Sequence, residues 1–148
     1  MPDIALEWQR FAEFSTEQLY ALLRFRQAIF VVEQRSPYPD LDGFDQRAWH
    51  LLLRRDGGLG GCLRVQPPPH LRIGRVAVAA ERRRHGLGRR LMEGTLLFCR
   101  AQYPGQPVML TAQIHLVPFY RGFGFEPTGE PFDDFGVTHV GMELRPGD

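Results

Sequence analysis

The strand-forming run Ile73-Gly74-Arg75-Val76-Ala77-Val78 leads into Arg82-Arg83-Arg84-His85-Gly86-Leu87-Gly88-Arg89-Arg90 and then into a helical pattern. A helix start leaves about four backbone N–H groups without partners and carries roughly half a positive charge, so it binds a phosphate set against it. Gly86 and Gly88 let the backbone come close to such an anion, while Arg83, Arg84 and Arg89 add charge. Which guanidinium turns inward is left open by the sequence. Arginines at a helix start oppose the helix dipole, a cost that an anionic ligand offsets. A diphosphate-bearing ligand of nucleotide size fits this turn. The same arginines also read as a solvated patch or an RNA-binding stripe.

Other chemistries are excluded by what is missing. All 18 basic residues are arginine and the chain has neither lysine nor asparagine. A Schiff-base lysine, a phosphate-loop lysine and an N-glycosylation site are therefore ruled out together. GxGxxG is absent at the turn, where only Gly86-x-Gly88 occurs. Cys62 and Cys99 are too far apart for a CxxC site and read as small buried hydrophobes. The five histidines show no metal-ligand spacing, so no metal is expected. A net charge of +1 gives no global attraction to nucleic acid or anionic lipid. No apolar run nears the roughly 18 residues of a membrane span and no secretory leader opens the chain, so a cytoplasmic protein without a membrane partner is expected.

The elements that must position the turn follow from patterning. The 148 residues, 43% of them hydrophobic, suit one domain over residues 1–148. Ile4 to Phe11 reads as a strand, and Ser15 with Gln18 as a capping box opening a helix that runs to about Phe30. Ala48 to Arg55, Asp56-Gly57-Gly58 and Leu59 to Gln66 read as a hairpin. Leu71 to Val78 is a strand, Gly86 to about Gln102 a helix, Val108 to Ala112 a buried strand and Leu116 to about Gly122 a short helix. Segments near Phe125 and from Val137 to Leu144 close the sheet. This is an α/β (α+β) order, with a mixed, mostly antiparallel central sheet flanked by helices and parallel pairing where a helix bridges two strands. Two sheet edges and several exposed aromatics leave room for a homodimer.

The turn Arg83-x-x-Gly86-x-Gly88 resembles the pyrophosphate loop of the GNAT superfamily of N-acetyltransferases. Downstream, Phe119-Tyr120 followed by Gly124-Phe125 is similar to that superfamily's second coenzyme motif, at a fitting distance of some thirty residues. Phe30-Val31-Val32-Glu33-Gln34, Pro37-Tyr38, Asp40, Asp42-Gly43 and Gly141-Met142 resemble its ElaA-like subgroup. The resemblance implies the GNAT fold and acyl transfer from acetyl-CoA to an amine acceptor. It implies a coenzyme site from the backbone of Val76, Ala77 and Val78 and from the turn Arg83, Arg84, His85, Gly86, Leu87, Gly88 and Arg89. Gln113 stands where many relatives have asparagine, and Leu116 where they have alanine; Gln113 is kept as a weak coenzyme contact.

Such a transfer needs a base for the amine and an acid for the departing sulfur. Tyr120, which the resemblance sets near the sulfur, is the expected acid, because a phenol can donate to a thiolate. Glu33 is the expected base, in a segment that borders the acceptor site in the superfamily, where Phe30-Val31-Val32 would give an apolar setting. His50, His115 and His139 are weaker candidates. The acids of Tyr38-Pro39-Asp40-Leu41-Asp42-Gly43-Phe44-Asp45 read either as a solvated loop or as the lining for a cationic amine. The competing function is a CoA-binding sensor that does not turn over, and a small RNA-binding domain is a third.

Overall fold

The computed structural model describes residues 3–80, 83 and 86–147, so Arg84 and His85 of the expected coenzyme turn lie outside the described residues. In chain order it forms β1 (Ile4–Arg10), α1 (Thr16–Gln27), β2 (Trp49–Arg55), β3 (Gly58–Gln66), β4 (Arg72–Val78), α2 (Leu87–Gln102), β5 (Val108–Gln113), α3 (Val117–Arg121), β6 (Glu126–Pro127), β7 (Phe132–Asp134) and β8 (Val137–Leu144). The strands make one sheet in the order β1-β2-β3-β4-β5-β8-β6, with β7 also paired to β8. Every pairing is antiparallel except β4 with β5, which α2 bridges. The mixed, mostly antiparallel sheet is the one expected from the sequence.

Local chemistry accounts for the elements. Ser15 and Gln18 cap α1 reciprocally, and Asp56 (φ 52°) with Gly57 (φ 84°) makes the tight β2–β3 hairpin turn, which requires two positive φ angles. Helix α1 was expected to reach Phe30. It ends at Gln27 and widens into a π-helical turn over Ala28–Glu33, where Ile29, Val31 and Val32 crowd a regular helix. Alternation along the strands feeds two packing layers. Leu51, Leu53, Leu63, Val65 and Ile73 meet Leu87, Leu91 and Met92 of α2 on one face. Leu52, Cys62 and Ala77 meet Leu22 of α1 and Ile29 of the turn that follows on the other.

An irregularity in β4 shapes everything near the expected coenzyme turn. Cys62 stands opposite Ala77 but Arg64 opposite Gly74, so β4 carries one extra residue there. Arg75 takes it up with φ 52°, a left-handed conformation that costs a non-glycine residue about 1–2 kcal/mol. Pairing of β4 with β5 is confined to the register point Arg72 with Met109. Beyond it the two strands part, and a gap opens between their C-terminal ends.

The bulge is held by a buried charge cluster. Arg26 of α1 is 1% exposed and reaches Asp40 at 3.1 Å and Asp45 at 2.8 Å. Arg64 of β3 reaches Asp45 at 2.9 Å and Asp42 at 2.5 Å. Arg75 itself lies 2.7 Å from Asp40 and 3.0 Å from Asp42, and donates to the Tyr38 hydroxyl at 2.5 Å. Three guanidinium groups thus meet three carboxylates, and the acidic loop is clamped onto the bulge. The lining for a cationic amine expected from those acids is corrected: their charges are already neutralised by Arg26, Arg64 and Arg75, because buried carboxylates fold only with partners.

Burial opposes the charged form of Asp42, but the Arg64 hydrogen bonds, the Phe44 amide and the charges of Arg64 and Arg75 outweigh it and hold the carboxyl at about 2. Asp45 is lowered likewise, burial being overcome by Arg26 and Arg64. Folded-state values below the unfolded ones give stability that is complete above about pH 5 and is lost as pH falls through about 4 towards 2. The urea midpoint is expected to follow that course, with Asp42→Asn flattening the acid limb; an unchanged limb would remove Asp42 from the account. Arg26→Ala leaves Asp40 and Asp45 buried without their shared cation and is expected to cost about 3–5 kcal/mol in the same titration.

Candidate active site

The gap between β4 and β5 is floored by two cavities that share a wall. The first, of about 650 Å³, runs from the start of α2 past Val76 and Val78 to Tyr120. The second, of about 280 Å³, lies over the sheet face of Arg64, Arg72 and Thr111. Phe30, Gln34, Val76, Gln113, Leu116 and Tyr120 line both. Two molecules seated in the two cavities would meet there.

Strand β4 supplies main chain to the larger cavity. The Ala79 N–H is donated to Gly60 of β3. Alternate residues of a ladder face opposite neighbours, so Val78 and, by alternation, Val76 turn their N–H and C=O groups to the other side, where β5 has parted from them. The Ala77 side chain is buried under α1. Val76 and Val78 therefore offer what an extended amide-bearing ligand needs, without using their side chains.

At the far end of this cavity Gly86 precedes α2 with φ 76°, and no side chain caps the helix. The amides of its first turn face no carbonyl of their own helix. Leu87 is buried, so its side chain belongs to the core and only its amide is available. A Cβ on Gly88 would lie 3.6 Å from the Phe119 ring, so a larger side chain would fill the cavity. Arg89 lies over the Phe123 ring, 5.2 Å from its centre, on the cavity rim.

Arg83 and Glu33 come together across the mouth. The Arg83 Nε donates to the Val78 carbonyl at 3.1 Å and its terminal nitrogens hold the Glu33 carboxylate from both sides. The apolar setting expected for Glu33 is corrected: its side chain is 40% exposed and gripped by a guanidinium. Its neighbour Val32 is exposed too, because the π-helical turn rotates the apolar run outward.

Tyr120 is 6% exposed and burial pushes its phenol up to about 12. It keeps its proton throughout the neutral range, as a donor must. Cys62 and Cys99 are buried as expected, which pushes their thiols up to about 12 and about 11. Neither is an activated nucleophile. His50 is a core residue, with Nε2 2.9 Å from the Asp45 carbonyl and its ring edge-on to Phe14. His115 lies on the rim of the larger cavity.

His139, weighed lightly from the sequence, is placed by β8 in the smaller cavity, paired in register with Gln113 of β5. Its Nδ1 lies 2.8 Å from the Val137 carbonyl, which can only accept. Nδ1 therefore carries the proton of the neutral ring, and Nε2 keeps a lone pair. The sequence signal for this position was thin: a histidine in an alternating strand, beside a β7 that the reading did not anticipate.

A family profile described as Acetyltransferase (GNAT) domain matches residues 12–146. Protein ElaA of Escherichia coli is 41% identical over 145 residues, 93% of this chain and 95% of that protein. Its crystal structure superimposes with a TM-score of 0.91, covering 97% of this chain and all of that one. A crystal structure of an acyl-CoA N-acyltransferase from Pseudomonas aeruginosa gives the same TM-score at 35% identity, covering 96% and 99%. A UPF0039 protein of Synechocystis sp. is 37% identical over 97% of this chain and 96% of its own.

A side chain at Gly86 would be held at positive φ, at about 1–2 kcal/mol, and would tilt the first-turn amides. Gly86→Val is expected to lower the melting temperature by only about 2–8 °C and to weaken coenzyme A binding about tenfold or more in calorimetry. Unchanged affinity would mean that the turn holds no phosphate.

Proposed function

The chain belongs to the GNAT acetyltransferase family, in its ElaA-like branch, and from that premise we propose that it transfers an acetyl group from acetyl-CoA to a primary amine of a small molecule or peptide. Dependence on an acyl-CoA comes with the family; the acetyl donor, the amine and a cytoplasmic setting are our reading. One observation carries it. A cavity with helix-start amides at one end and strand main chain turned away from β3 along its side meets a second cavity at a buried, protonated phenol.

The roles follow from this arrangement. First-turn amides from Leu87 to Arg89, with Gly86 before them, hold the diphosphate, and Val76 and Val78 pair with the pantetheine arm. An N–H of that stretch donates to the thioester oxygen, where negative charge grows during attack. The amine nitrogen, entering from the smaller cavity, bonds to the carbonyl carbon. As the intermediate collapses the carbon–sulfur bond breaks and the sulfur leaves with its electron pair. Tyr120 gives that sulfur a proton.

Nε2 of His139 takes the proton that the nitrogen sheds, Gln113 beside it lining both cavities. Glu33 acts through Arg83, fixing the guanidinium at the mouth where the coenzyme passes. Direct attack is favoured because no lysine exists and both thiols are buried and protonated.

Acetyl-CoA turnover over a panel of polyamines, amino acids, aminoglycosides and peptide N-termini tests this, read as thiol release. Tyr120→Phe is expected to lower kcat by about 10²–10⁴ with the KM for acetyl-CoA nearly constant. His139→Gln should act on kcat, and Glu33→Gln on the coenzyme KM. Tight coenzyme binding without thiol release for any amine, and no rate effect of Tyr120→Phe, would make the protein a coenzyme sensor instead.

A further inference from the structure

The smaller cavity has a chemistry of its own. Its floor is one face of the sheet: Arg64 and Gln66 on β3 stand opposite Gly74 and Arg72 on β4, and Thr111 on β5 continues the row. At one end sit His139 and Asp134, both on the β7–β8 hairpin. The volume of about 280 Å³ is at the small end of the range for small-molecule sites.

Two features of the floor call for an anion. Arg72 has a neutral partner, the Thr111 hydroxyl at 3.1 Å, and no carboxylate among the described residues within ion-pair distance. The charge cluster cannot supply one, since Asp40, Asp42 and Asp45 are matched by Arg26, Arg64 and Arg75. Arg64, whose side chain is 3% exposed, gives its terminal nitrogens to Asp42 and Asp45 while its buried Nε has no hydrogen-bond partner among the described residues. Such a donor is costly to leave unmatched. Gly74 stands opposite, where a Cβ would lie in van der Waals contact with that Nε at 3.9 Å and a larger side chain would cover it. At the other end Asp134 and the His139 lone pair suit an ammonium that must lose a proton.

We propose that the acceptor is a small amine that also bears a carboxylate, in the manner of a free amino acid. Arg72 and the Nε of Arg64 bind the carboxylate, and Asp134 and His139 receive the amino group beside Tyr120. The assignment deepens the acyltransfer reading and rests on it for the chemistry, though not for the binding.

Each amino acid is assayed against its decarboxylated amine, with wild type, Arg72→Gln and Arg72→Lys. The expected result is a kcat/KM at least about tenfold higher for the amino acid of a pair, a preference that Arg72→Gln abolishes and Arg72→Lys partly restores. The affinity for acetyl-CoA, whose cavity Arg72 does not line, should stay the same and reports a folded protein. Calorimetry on the wild type loaded with coenzyme A supplies a readout free of turnover: an N-acetyl amino acid binds and the matching N-acetyl amine does not, with Gly74→Val blocking binding. Equal kcat/KM within the pairs, or preference for the decarboxylated amines, overturns the inference and leaves acyl transfer standing. Binding of N-acetyl amino acids without thiol release overturns the transfer and leaves the carboxylate site standing.

Discussion

The left-handed residue in the middle of β4 is the constraint on which the rest depends. Without a bulge, a parallel neighbour would pair along the whole strand, and the main-chain groups of Val76 and Val78 would be consumed by β5. With Arg75 at φ 52° the pairing stops at Arg72 and Met109, and Val76 and Val78 line the larger cavity instead. Glycine would reach this conformation without strain, so an arginine at that place must bring something back. Its guanidinium lies over the Tyr38 ring, bonds the Tyr38 hydroxyl and lies against two carboxylates. The conformation that opens the strand also anchors the loop that closes over it.

A cluster of this kind is an expensive way to gain stability. Desolvating six charges costs about as much as their attraction returns, and well-packed apolar groups would serve as well. What apolar groups could not do is fix direction. Guanidinium–carboxylate contacts have narrow geometry. By drawing Arg26 from a helix, Arg64 from one strand and Arg75 from the next onto three acids of one loop, the cluster fixes where Tyr38 and the loop stand relative to the bulge. The specificity is visible in Arg64, whose Nη groups serve the cluster while its Nε faces a different need.

Much of this was legible in the sequence wherever one local rule governs. The capping box at Ser15, the Asp-Gly hairpin and the start of α2 after Gly86 are decided by a few adjacent residues, and each formed where its pattern stood. The buried face of α2 follows from periodicity, and the coenzyme motifs point to Tyr120 and Gln113, which line both cavities. What escaped notice was decided across the chain. Three acids in a short loop read as solvent-facing or as an amine lining because their partners lie 14 to 35 positions away in sequence. A signal was available: Arg64 sits between Leu63 and Val65 in an otherwise apolar strand, and a cation there demands an anion. Glu33 was misjudged in setting because the helix widens just before it, and a turn of different pitch sends Val32 to solvent and the carboxylate to Arg83. The bulge itself left no mark in composition.

The two cavities share a wall because of the same divergence of strands. Where β4 and β5 part, the sheet has one row of main-chain groups facing one way and one floor of side chains facing another, and Tyr120, carried on α3 just past the end of β5, lines both cavities. Such a boundary suits transfer between two bound molecules better than it suits a covalent relay. A relay would need a nucleophile on the boundary, and the groups that line both cavities are amides, a phenol and apolar side chains, while both thiols sit in the packed layers. The phenol is raised by burial. It is therefore held in the form that donates, on the side where a thiolate would depart. The imidazole is oriented by the Val137 carbonyl at Nδ1, which leaves Nε2 as the nitrogen for an entering amine. The phenol of α3 and the imidazole of β8 both line the smaller cavity, and only the phenol reaches the larger one as well, an asymmetry that a transfer between two bound molecules would use.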